Sequence, residues 1–272
     1  MRPSVIAGGF FALTQLVPKW RVPLWQFWYD KLAKRDTTND LLFMNYGYDD
    51  GEPGPALEPA DEPFRYGIQL YTATLRELEI RGKNVLEVGS GRGGGGSFIV
   101  RYCAPKSYTG VDLSSAAIER CQREHPLARA RWIRGQADAL PIDSDSIDIV
   151  VNVESSHSYP SMPGFLKEVH RVLRPGAHFA LADVRKADQV PELESQIANS
   201  GLACITQETI TSHVLRALDG ISPLRERQIA AHVPHLFSAA FRDFAGVKDS
   251  VLYTMLRDGR LVYLRYILLK PR

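Results

Sequence analysis

The chain has 272 residues, 44% of them hydrophobic, enough to bury the core of one large domain and with no sign of a disordered composition. With 33 basic and 31 acidic residues the formal charge is +2, which excludes the concentrated basic face of a nucleic-acid binder and favours a small, roughly neutral partner. Cys103, Cys121 and Cys204 lie far apart with no C-x-x-C pair, which argues against zinc and a disulfide framework and fits a cytoplasmic protein.

In chain order, residues 5–17 are largely apolar and follow Arg2, the outline of a signal peptide. The run is too short to span a bilayer and no small-residue cleavage pattern follows, so no stable membrane insertion is expected. Pro18, Lys19, Trp20, Arg21, Pro23, Trp25, Phe27 and Trp28 instead read as an amphipathic arm packed on the domain or on a second copy in a homodimer. An interfacial membrane contact is the alternative. Residues 39–66 mix aromatic anchors with turn formers, a lid or wall. Residues 1–80 are therefore expected to be an arm and lid packed on a core domain at 81–272. Apolar positions 68, 70, 71, 75 and 78 fit one face of a helix over 64–78.

A short apolar strand then runs into six glycines between 89 and 96 and on into a helix. That is the opening of a nucleotide-type crevice, and the run reads as a turn built for close ligand approach. Gly89, Gly91 and Gly94 satisfy G-x-G-x-x-G, which a nicotinamide oxidoreductase shares. The strand Ser107–Leu113 carries Asp112, 21 residues after Gly91 and placed to accept both hydroxyls of a ribose. Ser114 or Ser115 caps a helix to Glu124. Strand 131–134 leads to the polar loop 136–141, and the β-branched run Ile147–Val153, buried on both faces, ends at Glu154. Helix 163–173, a turn at Arg174-Pro175-Gly176 and strand 178–184 with Asp183 follow.

This alternation implies a parallel sheet with Glu87, Asp112, Asp138, Glu154, His157 and Asp183 converging at the strands' carboxyl ends. Helices at 209–219 and 223–243 form a helical lid. Strands Lys248–Met255 and Leu261–Lys270 form a terminal antiparallel hairpin, which is not the second half of a dinucleotide fold. His157, just beyond a buried strand, is placed to act as the base. His170 and His178 are remote from that edge and His125 reads as surface. Glu154 and Asp183 are either partners of the base or ligands of a cation.

Taken jointly, the E-x-G-x-G of Glu87, Gly89 and Gly91, Asp112, the loop at Gln136, Ala137 and Asp138, and the terminal hairpin resemble class I S-adenosylmethionine (SAM)-dependent methyltransferases. The resemblance implies an α/β, Rossmann-like fold with a mostly parallel seven-stranded sheet. It implies SAM contacts at Tyr46, Glu87, Gly89, Gly91, Asp112, Leu113, Gln136, Ala137, Asp138 and Asn152, and catalysis by His157 with Glu154. More narrowly, Phe43-Met-Asn-Tyr-Gly-Tyr48, Ile68-Gln-Leu-Tyr71 and Val151-Asn-Val-Glu-Ser-Ser-His-Ser-Tyr-Pro160 are similar to mycobacterial O-methyltransferases of hydroxylated lipids, fatty acids and sugars. The first acceptor this suggests is the reducing-end 1-hydroxyl of a 3-O-methylated mannoside in polymethylated polysaccharide synthesis, with fatty acids or lipid hydroxyls as the alternative. The acidic-x-x-His spacing also resembles magnesium-dependent sugar O-methyltransferases, which would place magnesium on Glu154 and Asp183. Val184 stands where those enzymes carry a second carboxylate.

Overall fold

A computed structural model describes residues 42–233, 235 and 238–272, so the aromatic arm at 18–28 lies outside the described residues. In chain order come α1 (Arg65–Leu75), β1 (Asn84–Val88), α2 (Gly94–Cys103), β2 (Ser107–Asp112), α3 (Ser115–Glu124), β3 (Ala130–Arg134) and β4 (Ile147–Val153). After them stand α4 (Met162–Val172), β5 (Leu173–Lys186), α5 (Val190–Ala198), β6 (Ala203–Thr209), α6 (Thr211–His232), α7 (Ser238–Phe244), α8 (Val251–Arg257) and β7 (Leu261–Leu269). The strands form one seven-stranded sheet ordered β3-β2-β1-β4-β5-β7-β6. β1 to β5 are parallel, and β7 runs antiparallel between β5 and β6.

The parallel half forms for the reason its sequence suggests. Ile147, Ile149, Val150, Val151 and Val153 are buried, as a β-branched run in a central strand requires. α4 starts where the Ser161 hydroxyl accepts the Gly164 N–H at 3.0 Å, and it buries Phe165, Leu166, Val169 and Val172 along one stripe against the sheet. Ser114 likewise caps α3, accepting from the Ala117 N–H at 3.2 Å. These helices hold β1, β2 and β4 so that their carboxyl ends share one edge.

The antiparallel half departs from the expected hairpin. Residues 248–255 do not supply a strand: Ser250 accepts the Tyr253 N–H at 3.2 Å and starts helix α8, whose buried residues, Tyr253 and Leu256, recur at helical spacing. The neighbours of β7 are β5 and β6. β6 went unforeseen because it is an edge strand with a mostly exposed, polar pattern. The lid also differs. α6 runs unbroken through Pro223, where a break was expected, because Val214, Ala217, Leu218 and Ile229 are buried and anchor both of its halves.

One buried cation ties these layers together. Arg265 on β7 is completely buried; its Nη1 lies 3.1 Å from Glu77 Oε1 and 3.2 Å from Glu208 Oε2. Arg76 also binds Glu208, at 2.5 Å. The end of α1 is thereby fastened to the β6–β7 edge.

Candidate active site

The glycine run sorts into two kinds of position once the neighbours of each are known. A Cβ on Gly89 would lie 2.3 Å from Ser155 Oγ; on Gly93, 2.6 Å from the His125 ring; on Gly95, 2.2 Å from the Tyr71 ring; on Gly96, 2.5 Å from Tyr108. On Gly94 it would meet the Leu42 carbonyl at 2.8 Å. The protein's own packing therefore demands these five glycines, which corrects the reading of the whole run as a ligand surface. Gly91 differs: with φ +52 it turns the chain, and a Cβ there would meet only Met44 Cε, at 3.5 Å, among the described residues.

The tyrosines that exclude side chains from Gly95 and Gly96 have a purpose of their own. Tyr71 donates to Glu87 Oε1 at 2.6 Å and Tyr108 donates to Glu87 Oε2. Burial pushes the Glu87 carboxyl up to about 7, with the two hydroxyls pulling the other way. With no exposed surface and both oxygens engaged, Glu87 braces the turn from beneath, and its expected contact with the cofactor is replaced by a supporting role.

Asp112 closes the turn from the β2 side. Its Oδ2 accepts the Gly91 N–H at 2.8 Å and its Oδ1 accepts the Ser114 N–H at 2.9 Å, which aims the carboxylate along the crevice edge. Leu113 is 41% exposed, one of few large apolar side chains left open, as a residue awaiting an apolar ring would be. The Gly135 N–H donates to the Asp112 carbonyl at 3.0 Å and so draws the following loop beside it. In that loop Gln136 and Asp138 are exposed and Ala137 is half-buried. Asn152 is completely buried. Its Nδ2 lies 2.8 Å from the Val88 carbonyl, 2.8 Å from Ser155 Oγ and 2.9 Å from Tyr159 Oη. Its Oδ1, like Ser90 Oγ in the turn, is buried without a partner among the described residues.

An open face at Gly91, an aimed carboxylate, an exposed leucine and two orphaned polar atoms beside the turn fit SAM, which carries ribose hydroxyls, an adenine and an ammonium group. Two substitutions check this. Gly91→Val should abolish SAM binding, because its side chain projects into the open face; the positive φ strains any side chain there, so affinity is read on variant protein shown by circular dichroism to be folded. Asp112→Ala should weaken SAM by about 1.5–3 kcal/mol per lost charge-assisted hydrogen bond, read by calorimetry. Unchanged affinity in both would place the cofactor elsewhere.

The chemistry-bearing groups gather past β4. His157 Nδ1 lies 2.7 Å from Asp183 Oδ1, and the His157 N–H donates to Asp183 Oδ2 at 2.8 Å. Ser156 Oγ donates to Oδ2 at 2.6 Å, the Val184 N–H to Oδ1 at 2.8 Å, and Arg185 Nη1 stands 2.9 Å from Oδ2. Burial alone would raise the Asp183 pKa. The charges of His157 and Arg185 and these hydrogen bonds outweigh it and hold the carboxyl well below its usual range. An ionised Asp183 only accepts, so Nδ1 of His157 carries the hydrogen and Nε2 is left with its lone pair. Burial disfavours a charged ring, yet the Asp183 carboxylate keeps the imidazole pKa above its ordinary value. The ring is 35% exposed, and Nε2 has no partner among the described residues.

Asp183 therefore does not fit a cation. Five donors occupy a carboxylate with about four lone-pair sites, and one donor is a guanidinium that repels a metal. Among the described residues no group of three or more His, Cys, Asp or Glu can hold a metal ion. The expected magnesium site at Glu154 and Asp183 is thus corrected: Asp183 orients His157. Glu154 is held separately, its Oε2 accepting the Tyr46 N–H at 2.8 Å and the Tyr263 hydroxyl at 2.9 Å. Burial lifts its carboxyl to about 7.

The structure thus brings together His157, Asp183, Glu154 and, through its backbone, Tyr46. The Tyr48 ring instead packs with its centroid 4.9 Å from that of His213 on α6. Sequence reasoning missed Ser155, Arg225 and Tyr263. Arg225 reaches in from the lid to donate to the Asn45 carbonyl at 2.9 Å. Tyr263 sits more than a hundred residues from Glu154, with no local signal for the contact.

Comparison with known proteins agrees with this geometry. Residues 86–181 match the family model described as a methyltransferase domain. A phthiotriol/phenolphthiotriol dimycocerosates methyltransferase of Mycobacterium leprae is 41% identical over 244 residues, covering 89% of this chain and 90% of that protein. A fatty-acid O-methyltransferase of Mycolicibacterium smegmatis is 37% identical over 244 residues, covering 89% and 88%. The crystal structure of geranyl diphosphate C-methyltransferase from Streptomyces coelicolor, bound to S-adenosyl-L-homocysteine, magnesium and geranyl diphosphate, covers 90% of this chain and 98% of its own. Its TM-score is 0.63 at 16% identity, a likeness of fold. With this sheet order, a crevice that fits SAM and relatives of this identity over most of its length, the chain belongs to the class I SAM-dependent methyltransferases.

Proposed function

We propose that this methyltransferase acts on a hydroxyl of a lipid acceptor, with His157 as the base. The observation that carries the reading is the His157–Asp183 pair: Nδ1 anchored at 2.7 Å, Nε2 unpartnered among the described residues and the ring partly open at the carboxyl edge of the sheet. SAM supplies an activated methyl group when bound. The protein aligns the acceptor oxygen, and Nε2 takes its proton while Asp183 stabilises the imidazolium that forms. A fatty-acid carboxylate, already ionised, has no proton for His157 to take and would approach a site bearing Glu154. The M. leprae and M. smegmatis relatives are named for lipid and fatty-acid acceptors, so the reading moves from the mannoside hydroxyl expected above to a lipid hydroxyl. A nicotinamide oxidoreductase is set aside by the family. Among the described residues no helix is long and apolar enough to cross a membrane.

The test is an acceptor screen with methyl-labelled SAM, comparing long-chain alcohols, fatty acids and partly methylated mannosides. Label in the alcohols supports the reading. Label confined to fatty acids or mannosides overturns it.

A further inference from the structure

Residues 42–48 run along the carboxyl edge of the sheet as a strap with neither helix nor strand pairing, so its backbone groups need partners from elsewhere in the protein. At its start the Phe43 side chain is wedged between two helices. A Cβ on Gly94 of α2 would lie 3.1 Å from the Phe43 ring, and one on Gly67 of α1 would lie 2.8 Å from Phe43 Cβ. Met44 comes next, its Cε at the rim of the open Gly91 face. The peptide between Asn45 and Tyr46 is then gripped at both ends. Its carbonyl oxygen accepts from Arg225 Nη2 at 2.9 Å, and its N–H donates to Glu154 Oε2 at 2.8 Å.

Arg225 stands on the lid helix α6, and its Nη1 donates to the Ala245 carbonyl after α7. Among the described residues it forms no ion pair; both arms of the guanidinium serve main-chain carbonyls. One planar fork thus joins the lid, the segment after α7 and the strap, a reach that a lysine ammonium does not reproduce. We infer that Arg225 is a positioning residue for the cofactor: through the Asn45–Tyr46 peptide it holds the strap against the sheet edge, keeps Met44 at the rim of the Gly91 face and slows cofactor release. The inference rests on SAM lying at that face and is independent of the acceptor. A stretch without secondary structure keeps one conformation only while its contacts outweigh the entropy lost in ordering it. A hydrogen bond from a charged donor is among the stronger of those contacts. Asp112 and Asn152 stand on strands, so the cofactor should still associate when the strap is loose, and what is lost is its retention.

The test follows S-adenosylhomocysteine binding by stopped flow in the wild type, Arg225→Met, Met44→Ala and the double variant. Arg225→Met keeps an apolar stem and removes the fork; it should speed release by roughly tenfold and leave association within about threefold of wild type. Met44→Ala alone should speed release by roughly fivefold through lost apolar contact. Added to Arg225→Met it should change little, because the strap that carries Met44 is already loose. Hydrogen exchange supplies the control for misfolding. At saturating S-adenosylhomocysteine, Arg225→Met should lose protection in 42–48 while β1 and β4 keep theirs. Unchanged release in Arg225→Met, weaker binding through slower association alone, additive effects of the two substitutions, or full protection of the strap in Arg225→Met would overturn the inference. A wrong placement of the cofactor shows itself differently, as normal binding in folded Gly91→Val.

Discussion

Replacing His157 with alanine lowers methyl transfer to a lipid hydroxyl by about 10²–10⁴-fold and leaves SAM affinity intact. That is the range general-base catalysis contributes, and the groups that fit the cofactor lie at the ends of β1 and β2 and in the loop after β3. The wild-type rate should rise with pH, because only the neutral imidazole accepts a proton. The rise is centred above the ordinary imidazole value of 6.5, since the Asp183 carboxylate favours the charged ring despite its burial. Asp183→Asn removes that charge, so the rise should move to lower pH. The plateau should fall too, because an amide can present its N–H to Nδ1 and select the wrong tautomer. Wild-type turnover in His157→Ala, or a pH profile unmoved by Asp183→Asn, would remove the base from the mechanism.

The largest effect on stability is expected at the Arg265 clamp. Glu77→Ala combined with Glu208→Ala leaves a fully buried guanidinium whose one remaining hydrogen-bond partner among the described residues is the Thr74 carbonyl, 3.5 Å away. Stranding a buried charge costs about 3–5 kcal/mol; Glu77 and Glu208 are 40% and 33% exposed, so solvent already screens the pairs and the expected loss is on the order of 3 kcal/mol. Arg265→Met, which removes the charge and keeps the apolar volume, should cost far less than the double variant. Chemical denaturation of the two measures the asymmetry, and a larger loss in Arg265→Met would show that the ion pairs themselves hold the edge together.

The parallel half of the fold was legible because its signals are local. Ile147–Val153 reads as a central strand from its β-branching, and Ser114 caps its helix through its own hydroxyl. The antiparallel half was less legible because its strands are chosen by partners distant in sequence. β6 has no apolar stripe, and residues 248–255 have strand-like composition that one capping serine and the packing of Tyr253 and Leu256 override. In the site, the position of His157 beyond β4 was readable from order alone. Its partner stayed open, because whether Asp183 meets a metal or a histidine depends on how many donors surround it, and the Ser156 hydroxyl and the Val184 N–H carry no signal in the sequence. The glycine run misled in the opposite direction: tyrosines at 71 and 108 need the space at Gly95 and Gly96 to reach Glu87.

The central claim, a proton-bearing lipid acceptor deprotonated by His157, is tested most directly by the bond formed to the transferred methyl. The enzyme is supplied with methyl-labelled SAM and equal amounts of a long-chain alcohol and a fatty acid of the same length, and the labelled product is read by NMR. A methyl ether is expected, with its yield collapsing in His157→Ala. A methyl ester as the main product, formed at the same rate with and without the histidine, would contradict it.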